Sequence, residues 1–202
     1  MFEGKKIIIV MPAYNAEKTL SKTFEDIPKG LVDEIILTDD ASRDRTALIS
    51  ESLGIKTITH SHNKGYGANQ KTCYREALRD GADIIVMLHP DCQYDPRVIP
   101  FAVGILTADI CDIIIGSRIR TRAETLRGGM PLYKYISNRF LTALENICFG
   151  QNLGDFHSGF RVYKRAVLEK IDFLGNSDDF IFDTEFLAQA IFQKFRVGDI
   201  PI

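Results

Sequence analysis

The sequence predicts an α/β fold in three layers, α/β/α, with helices on both faces of a mostly parallel sheet. Three observations carry that prediction. Short β-branched runs alternate with segments of helical period from the first residues onward, the pattern of strands joined by crossover helices. The runs are continuously apolar rather than alternating, as strands covered on both faces are. The residues after each run are polar, and that edge is where open parallel sheets collect ligands.

In order, strands are expected at Lys6–Met11, Glu34–Thr38, Ile55–Thr59, Asp83–Leu88 and Asp112–Gly116. Residues 16–26 place Leu20 and Phe24 on one face of a first helix, and Ser42 caps a second that ends before Gly54. Residues 67–80 form a third, closed by Gly81 in the left-handed conformation. Residues 132–148 carry Leu132, Tyr135, Ile136, Phe140, Leu141, Leu144 and Ile147 at helical spacing, with Lys134 and Arg139 between them. That stripe reads first as core facing the sheet and second as a face meeting lipid or another chain. A helix over 183–194 and a strand from Phe195 follow. With no repeat and no Gly/Ser linker, residues 1–202 read as one domain. The closing Asp199-Ile200-Pro201-Ile202 reads as a strand cut short.

Composition narrows the function classes. Of 202 residues, 45% are hydrophobic, 26% charged and 10% aromatic, which excludes a disordered, collagen-like or coiled-coil chain. A formal charge of −2 argues against a nucleic-acid partner, because that work needs a concentrated basic field. Cys73, Cys92, Cys111 and Cys148 show no CxxC pair, so they read as reduced, mostly buried thiols rather than a zinc cage. No apolar run approaches the roughly 18 residues of a membrane span, so the expected location is cytoplasmic.

The polar strand ends carry the chemistry. They are Pro12-Ala13-Tyr14-Asn15, then Asp39-Asp40-Ala41-Ser42-Arg43-Asp44, Asn63-Lys64-Gly65-Tyr66-Gly67-Ala68, His89-Pro90-Asp91-Cys92-Gln93 and Gly116-Ser117-Arg118. Ser158-Gly159-Phe160-Arg161-Val162-Tyr163 and Val197-Gly198-Asp199-Ile200-Pro201 complete the set. Each alone is an ordinary cap or turn. In this order and spacing they resemble the motifs of family 2 glycosyltransferases, especially the branch resembling dolichol-phosphate mannosyltransferase. GxGxxG is absent, which weighs against a dinucleotide-dependent dehydrogenase.

The resemblance implies the GT-A fold of nucleotide-diphospho-sugar transferases, with residues 1–116 as the donor-binding half and 117–202 as the acceptor half. It also implies an inverting, metal-dependent transfer from a UDP- or GDP-sugar to a polyprenyl or dolichyl phosphate. A saccharide hydroxyl as acceptor, or an inactive sugar-nucleotide-binding module, is the alternative. Donor contacts fall on Pro12, Tyr14, Asn15, Asp39, Asp40, Asn63, Lys64, Gly65, His89 and Asp91, with Glu17 standing in for the acid that the family often carries where this chain has Ala16. Asp40 can alternatively serve as a helix cap.

Where the family has the first acid of its metal-binding DxD motif, this chain has His89. Asp91 is then the primary metal ligand with His89 as a partner, and the resemblance to the dolichol-phosphate branch adds Gln93 through its amide oxygen. Manganese accepts an imidazole better than magnesium does, and either ion is expected. For the acceptor phosphate, guanidinium forks are available at Arg118, Arg122 and Arg161, beside Ser158; Arg120 and Arg127 read as solvated. Arg118 and Arg161 are also expected to be catalytic. A hydroxyl acceptor would need a base, for which Asp155 is preferred over Asp183 and Glu185. A lipid phosphate would bring peripheral association with the cytoplasmic face of a membrane.

Overall fold

The computed structural model describes residues 1–117 and 131–202. Its strands are β1 (Ile7–Ala13), β2 (Glu34–Asp39), β3 (Lys56–Thr59), β4 (Ile84–Met87), β5 (Ile113–Ser117), β6 (Arg161–Lys164) and β7 (Val197–Pro201). They form one sheet in the order β3-β2-β1-β4-β6-β5-β7. The helices are α1 (Leu20–Glu25), α2 (Thr46–Ser52), α3 (Tyr66–Arg79), α4 (Ile99–Thr107), α5 (Leu132–Phe149), α6 (Arg165–Lys170) and α7 (Phe182–Phe192).

Strand β1 shows why continuous apolar runs mean burial on two sides. All seven of its residues are buried. Ile7, Ile9 and Met11 join one core with Leu20, Ile99 and Val103, while Ile8 and Val10 join the other with Tyr74, Phe182 and Phe186. The chain winds from β1 outward through β2 and β3, then returns to β4 on the other side of β1. That reversal opens a crevice at the carboxyl ends of β1 and β4.

The sheet is parallel except at β6, which runs antiparallel between β4 and β5. The sequence reading does not mark β6 as a strand, because it is only four residues long and opens on Arg161, a buried cation. Its direction brings the preceding loop, residues 157–160, to the edge where β4 and β5 end.

Other expectations are corrected. Ser42 does not cap α2: its Oγ accepts from Asn15 N at 2.8 Å, and Asp44 Oδ1 accepts from Thr46 N at 3.0 Å instead. The α5 stripe does not face the sheet, since Thr142 is the helix's buried residue while Phe140 and Ile147 are 69% and 80% exposed. Its polar side turns inward. Asn146 brackets Leu153, taking its N–H at 2.8 Å and donating to its carbonyl at 2.9 Å. The thiols are free, but only Cys73 is buried, whereas Cys92 and Cys148 are exposed. No helix among the described residues is long and apolar enough to cross a membrane.

Candidate active site

Each of the first four parallel exits turns through a left-handed residue. These are Asn15 (φ 53°) after β1, Ala41 (φ 57°) after β2, Gly65 (φ 100°) after β3 and Cys92 (φ 58°) after β4. For the three that carry a Cβ this costs on the order of 1 kcal/mol each, so the surroundings must hold them. Asn15 N donates to Ser42 Oγ, Arg43 N donates to Asn15 Oδ1 at 2.9 Å, and Ser42 N donates to Asp39 Oδ2 at 3.1 Å. The first two exits are thereby latched together.

Asp40 fixes the third exit. Its Oδ1 meets Lys64 N at 2.8 Å and His60 Nδ1 at 2.7 Å, and its Oδ2 accepts from Gly65 N at 3.0 Å. Gly65 is required there, since a Cβ would lie 2.6 Å from the Asp178 carbonyl oxygen, on top of the positive φ. That same carbonyl accepts from Gly67 N at 2.8 Å, tying segment 176–181 to the first turn of α3. The result is a cleft of about 480 Å³ between the strand exits and that segment, lined among others by Pro12, Tyr14, Asn15, Asp40, Asn63, Gly65 and Phe180.

At its far end stands His89. The Tyr66 ring is sandwiched between His89 and Phe180, with centroids 5.5 and 4.8 Å away. The Tyr66 hydroxyl donates to Asp183 Oδ2 at 2.8 Å and lies 3.3 Å from His89 Nε2. Burial, reinforced by Asp183, pushes the phenol far above its ordinary pKa, so it stays a donor. Burial also lowers the His89 pKa against the opposing pull of Asp91 and Asp183, which keeps the imidazole neutral at neutral pH. Beyond His89 and Tyr66 a second cavity of about 320 Å³ opens, lined by Tyr94, His157, Gly159 and Asp183 and sharing Tyr66, His89, Asp91 and Phe180 with the first.

Arg161 lies beneath this corner and is fully buried. Its Nε donates to Ser158 O at 3.0 Å and its other nitrogens to Phe156 O at 3.0 Å and Asp183 O at 3.3 Å, with Asp183 Oδ2 at 3.5 Å. Although burial works against the charge, Asp183 raises its pKa and keeps it protonated. Its fork therefore holds the 156–158 turn to α7 and is not open to a phosphate, which revises the expected role. Ser158 is likewise buried and outside both cavities.

The remaining expected residues divide by the same geometry. Pro12, Tyr14, Asn15, Asp40, Asn63, Gly65, His89 and Asp91 line the main cleft. Lys64 contributes its backbone, and Asp39 is buried beneath the exit loops. Glu17 turns away: its carboxylate accepts from Arg45 N at 2.9 Å and pairs with the Arg45 side chain at 3.5 Å. Asp155 is fully buried, accepts from His157 N at 2.9 Å and Asn138 Nδ2 at 3.2 Å, and lines neither cavity. Glu185 accepts from Ser177 N at 2.6 Å, shaping the far wall. Arg118, Arg120, Arg122 and Arg127 lie outside the described residues.

Asp91 is exposed at the corner where the cavities join, with Oδ1 accepting from Gln93 N at 3.0 Å. Among the described residues no three carboxylate, imidazole or thiol groups converge on one point. Gln93, expected as a further ligand, lines neither cavity; the carboxylate of Asp91 and the neutral imidazole of His89 remain at this corner, a donor pair that suits a divalent cation whose other ligands come from a diphosphate. Sequence reasoning missed Tyr66, Asn69 and Phe180 as cleft residues. The signal for two of them was the Gly65-Tyr66-Gly67-Ala68-Asn69 run, which opens a helix at a strand exit.

A doubly wound sheet with its cleft at the β1/β4 reversal, and an antiparallel strand feeding that edge, defines a sugar-nucleotide transferase architecture of the GT-A kind. The chain belongs to glycosyl transferase family 2, whose sequence model matches residues 8–172, and it is a glycosyltransferase. It is 28% identical to the UDP-N-acetylglucosamine–dolichyl-phosphate N-acetylglucosaminyltransferase of Methanococcus voltae, over 98% of this chain and 85% of that protein. With the polyprenol monophosphomannose synthase of Mycolicibacterium smegmatis it shares 25% identity, over 98% and 77%. The fold matches that of glucosyl-3-phosphoglycerate synthase from Mycobacterium tuberculosis, solved with Mn2+, UDP-glucose and phosphoglyceric acid. That likeness has a TM-score of 0.73 at 21% identity, covering 98% of this chain and 70% of the other.

Proposed function

We propose that this chain transfers a sugar from a UDP- or GDP-sugar to a polyprenyl or dolichyl phosphate. The observation that carries this reading is the pair of cavities joined at Tyr66, His89, Asp91 and Phe180, one sized for a sugar nucleotide and one beside it for an acceptor. The names of the Methanococcus and Mycolicibacterium relatives support a lipid-phosphate acceptor. So does the wall of the second cavity. Among the described residues that line it, the only carboxylates are Asp91, at the metal corner, and Asp183, engaged by Tyr66, Gln70 and Arg161. A sugar hydroxyl would need a base that these residues do not offer, whereas a phosphate monoester arrives already anionic.

Asp91 and His89 would hold Mn2+ or Mg2+, which when bound neutralises the departing diphosphate. The exit loops seat the nucleotide, and the stacked rings of Tyr66 and Phe180 line the junction. His157 lines the acceptor cavity, its pKa raised by Glu145 3.2 Å away, and offers a polar ring there for a phosphate. The acceptor oxygen forms its bond to the anomeric carbon as the bond to the diphosphate oxygen breaks, and the electron pair leaves on the nucleoside diphosphate. The test is nucleoside diphosphate release from UDP- and GDP-sugars with manganese, with and without a polyprenyl phosphate. Release should require the lipid phosphate and fall at least about a hundredfold in Asp91→Ala. Full activity in that variant, or release indifferent to the lipid, would overturn the reading.

A further inference from the structure

A glycosyl donor and its acceptor meet over the sugar. The anomeric carbon stays bonded to the diphosphate until the acceptor oxygen reaches it, so the transferred pyranose occupies the place where the two cavities join. Four residues line both cavities: Tyr66, His89, Asp91 and Phe180. Three of them are already engaged. Asp91 and His89 form the metal corner, and the His89 ring stacks on Tyr66, has Tyr94 tilted against it at 6.3 Å and packs so closely on Gly159 that no Cβ fits there. Tyr66 lies between the His89 and Phe180 rings.

Phe180 differs from these three. Its ring rests on Tyr66 with centroids 4.8 Å apart, yet the side chain is 74% exposed. An aromatic surface left open to water beside a polar cleft gains when a ligand covers it with apolar surface of its own. The segment that carries the ring is also anchored. Asp178 O accepts from Gly67 N at 2.8 Å, Lys71 Nζ binds Asp178 Oδ1 at 2.7 Å and the Asn176 carbonyl, and Glu185 takes Ser177 N at 2.6 Å. Neither Gly65 nor Gly67 has room for a Cβ against this segment, so the fit is close. A surface fixed before its ligand arrives gives up little entropy on binding.

A pyranose suits such a surface, because its two faces present C–H groups while its hydroxyls point outward around the rim. The C–H groups meet the aromatic ring and the hydroxyls need polar partners at its edge. Asp179 supplies one. It lines the main cleft beside Phe180, and its Oδ1 already accepts from Phe180 N at 2.7 Å, which fixes the carboxylate next to the ring.

We infer that Phe180 is the platform on which the transferred sugar stacks, with the anomeric carbon held between the metal corner and the acceptor cavity. The inference rests on a nucleoside-diphosphate sugar as donor and is independent of the acceptor.

Titration calorimetry in manganese separates the sugar from the nucleotide. UDP-glucose and UDP-N-acetylglucosamine are each compared with UDP, and GDP-mannose with GDP. In Phe180→Ala the sugar nucleotide that the parent binds should weaken about tenfold while the matching nucleoside diphosphate binds as before, and Phe180→Tyr should restore the parental affinity. Unchanged affinity for the nucleoside diphosphate also reports an intact cleft. Equal weakening of both ligands would assign the ring to the nucleotide and overturn the inference, as would a Phe180→Ala chain that binds every sugar nucleotide as the parent does. A parent that binds none of these ligands sinks the donor reading and the platform together. Failure of the acceptor reading looks different: sugar binding that depends on Phe180, with no nucleoside diphosphate released on adding a polyprenyl phosphate, leaves the platform standing.

Discussion

Helices α3 and α5 carry the same kind of amphipathic stripe and bury opposite sides of it. In α3, Cys73, Tyr74 and Ala77 are fully buried against the sheet, while Arg75 and Arg79 face solvent. In α5 Leu132, Ile136, Phe140, Leu144 and Ile147 face outward and Asn138, Thr142, Glu145 and Asn146 face in, with Phe149 alone of its large apolar residues packed against the core near its end. The difference lies in what each helix rests on. Under α3 is an apolar strand surface, whereas under α5 is the irregular segment 151–158, whose backbone groups need hydrogen-bonding partners once covered. Leu153 and Gly154 find them on Asn146 and Arg139. A helix that shelters a loop turns its polar side down.

The sharpest way to break this contrast is to truncate one large aromatic on each helix. Tyr74→Ala should cost about 3–5 kcal/mol in urea unfolding, because it opens a cavity among Tyr163, Phe173, Phe182 and Phe186 and removes the hydroxyl bonded to Gln70 at 2.8 Å. Phe140→Ala removes a comparable ring from the outward face and should stay within about 0.5 kcal/mol. Equal losses would mean that α5 is packed as α3 is.

A smaller effect sharpens the seam between the halves. Tyr66 begins α3, yet its hydroxyl reaches Asp183 at the start of α7 and approaches His89 at the end of β4. Tyr66→Phe keeps the stack on Phe180 and loses only those contacts. Stability should fall by about 1 kcal/mol, and turnover by about tenfold as His89 loses its anchor. A loss of stability with turnover intact would reduce Tyr66 to packing.

What could be read from the sequence follows the same division. Strand exits were legible because parallel strands of one sheet bring their ends together whatever the loops do, and so Asn15, Asn63, Gly65, His89 and Asp91 meet at one cleft. Asp40 lines that cleft, but a carboxylate's partners are invisible in sequence, and here they are largely backbone N–H groups of the next exit. Arg161 was misread because charged side chains belong at the surface by default, while this one is enclosed by the carbonyls of Phe156, Ser158 and Asp183. Period shows which residues of a helix share a face. It does not show which way the face points, and α5 is where that gap appeared.

The smallest predicted effect probes the inner side of α5 through pH. Glu145 lies 3.2 Å from His157 and raises the imidazole pKa above its ordinary value, outweighing the partial burial that lowers it. A raised folded-state value means that the folded chain binds the proton more tightly than the unfolded one. The pair therefore stabilises the fold fully below about pH 6.5, the ordinary histidine value, and loses that contribution as pH rises through the folded value. With His157 a third exposed, solvent screening keeps the contribution well under about 1 kcal/mol. Unfolding free energies of the parent and Glu145→Gln should accordingly differ most under mildly acidic conditions and converge as the medium becomes alkaline. A gap that is constant or widens with pH would show that Glu145 holds α5 to the 151–158 segment by shape, and that the polar underside of this helix owes nothing to its charge.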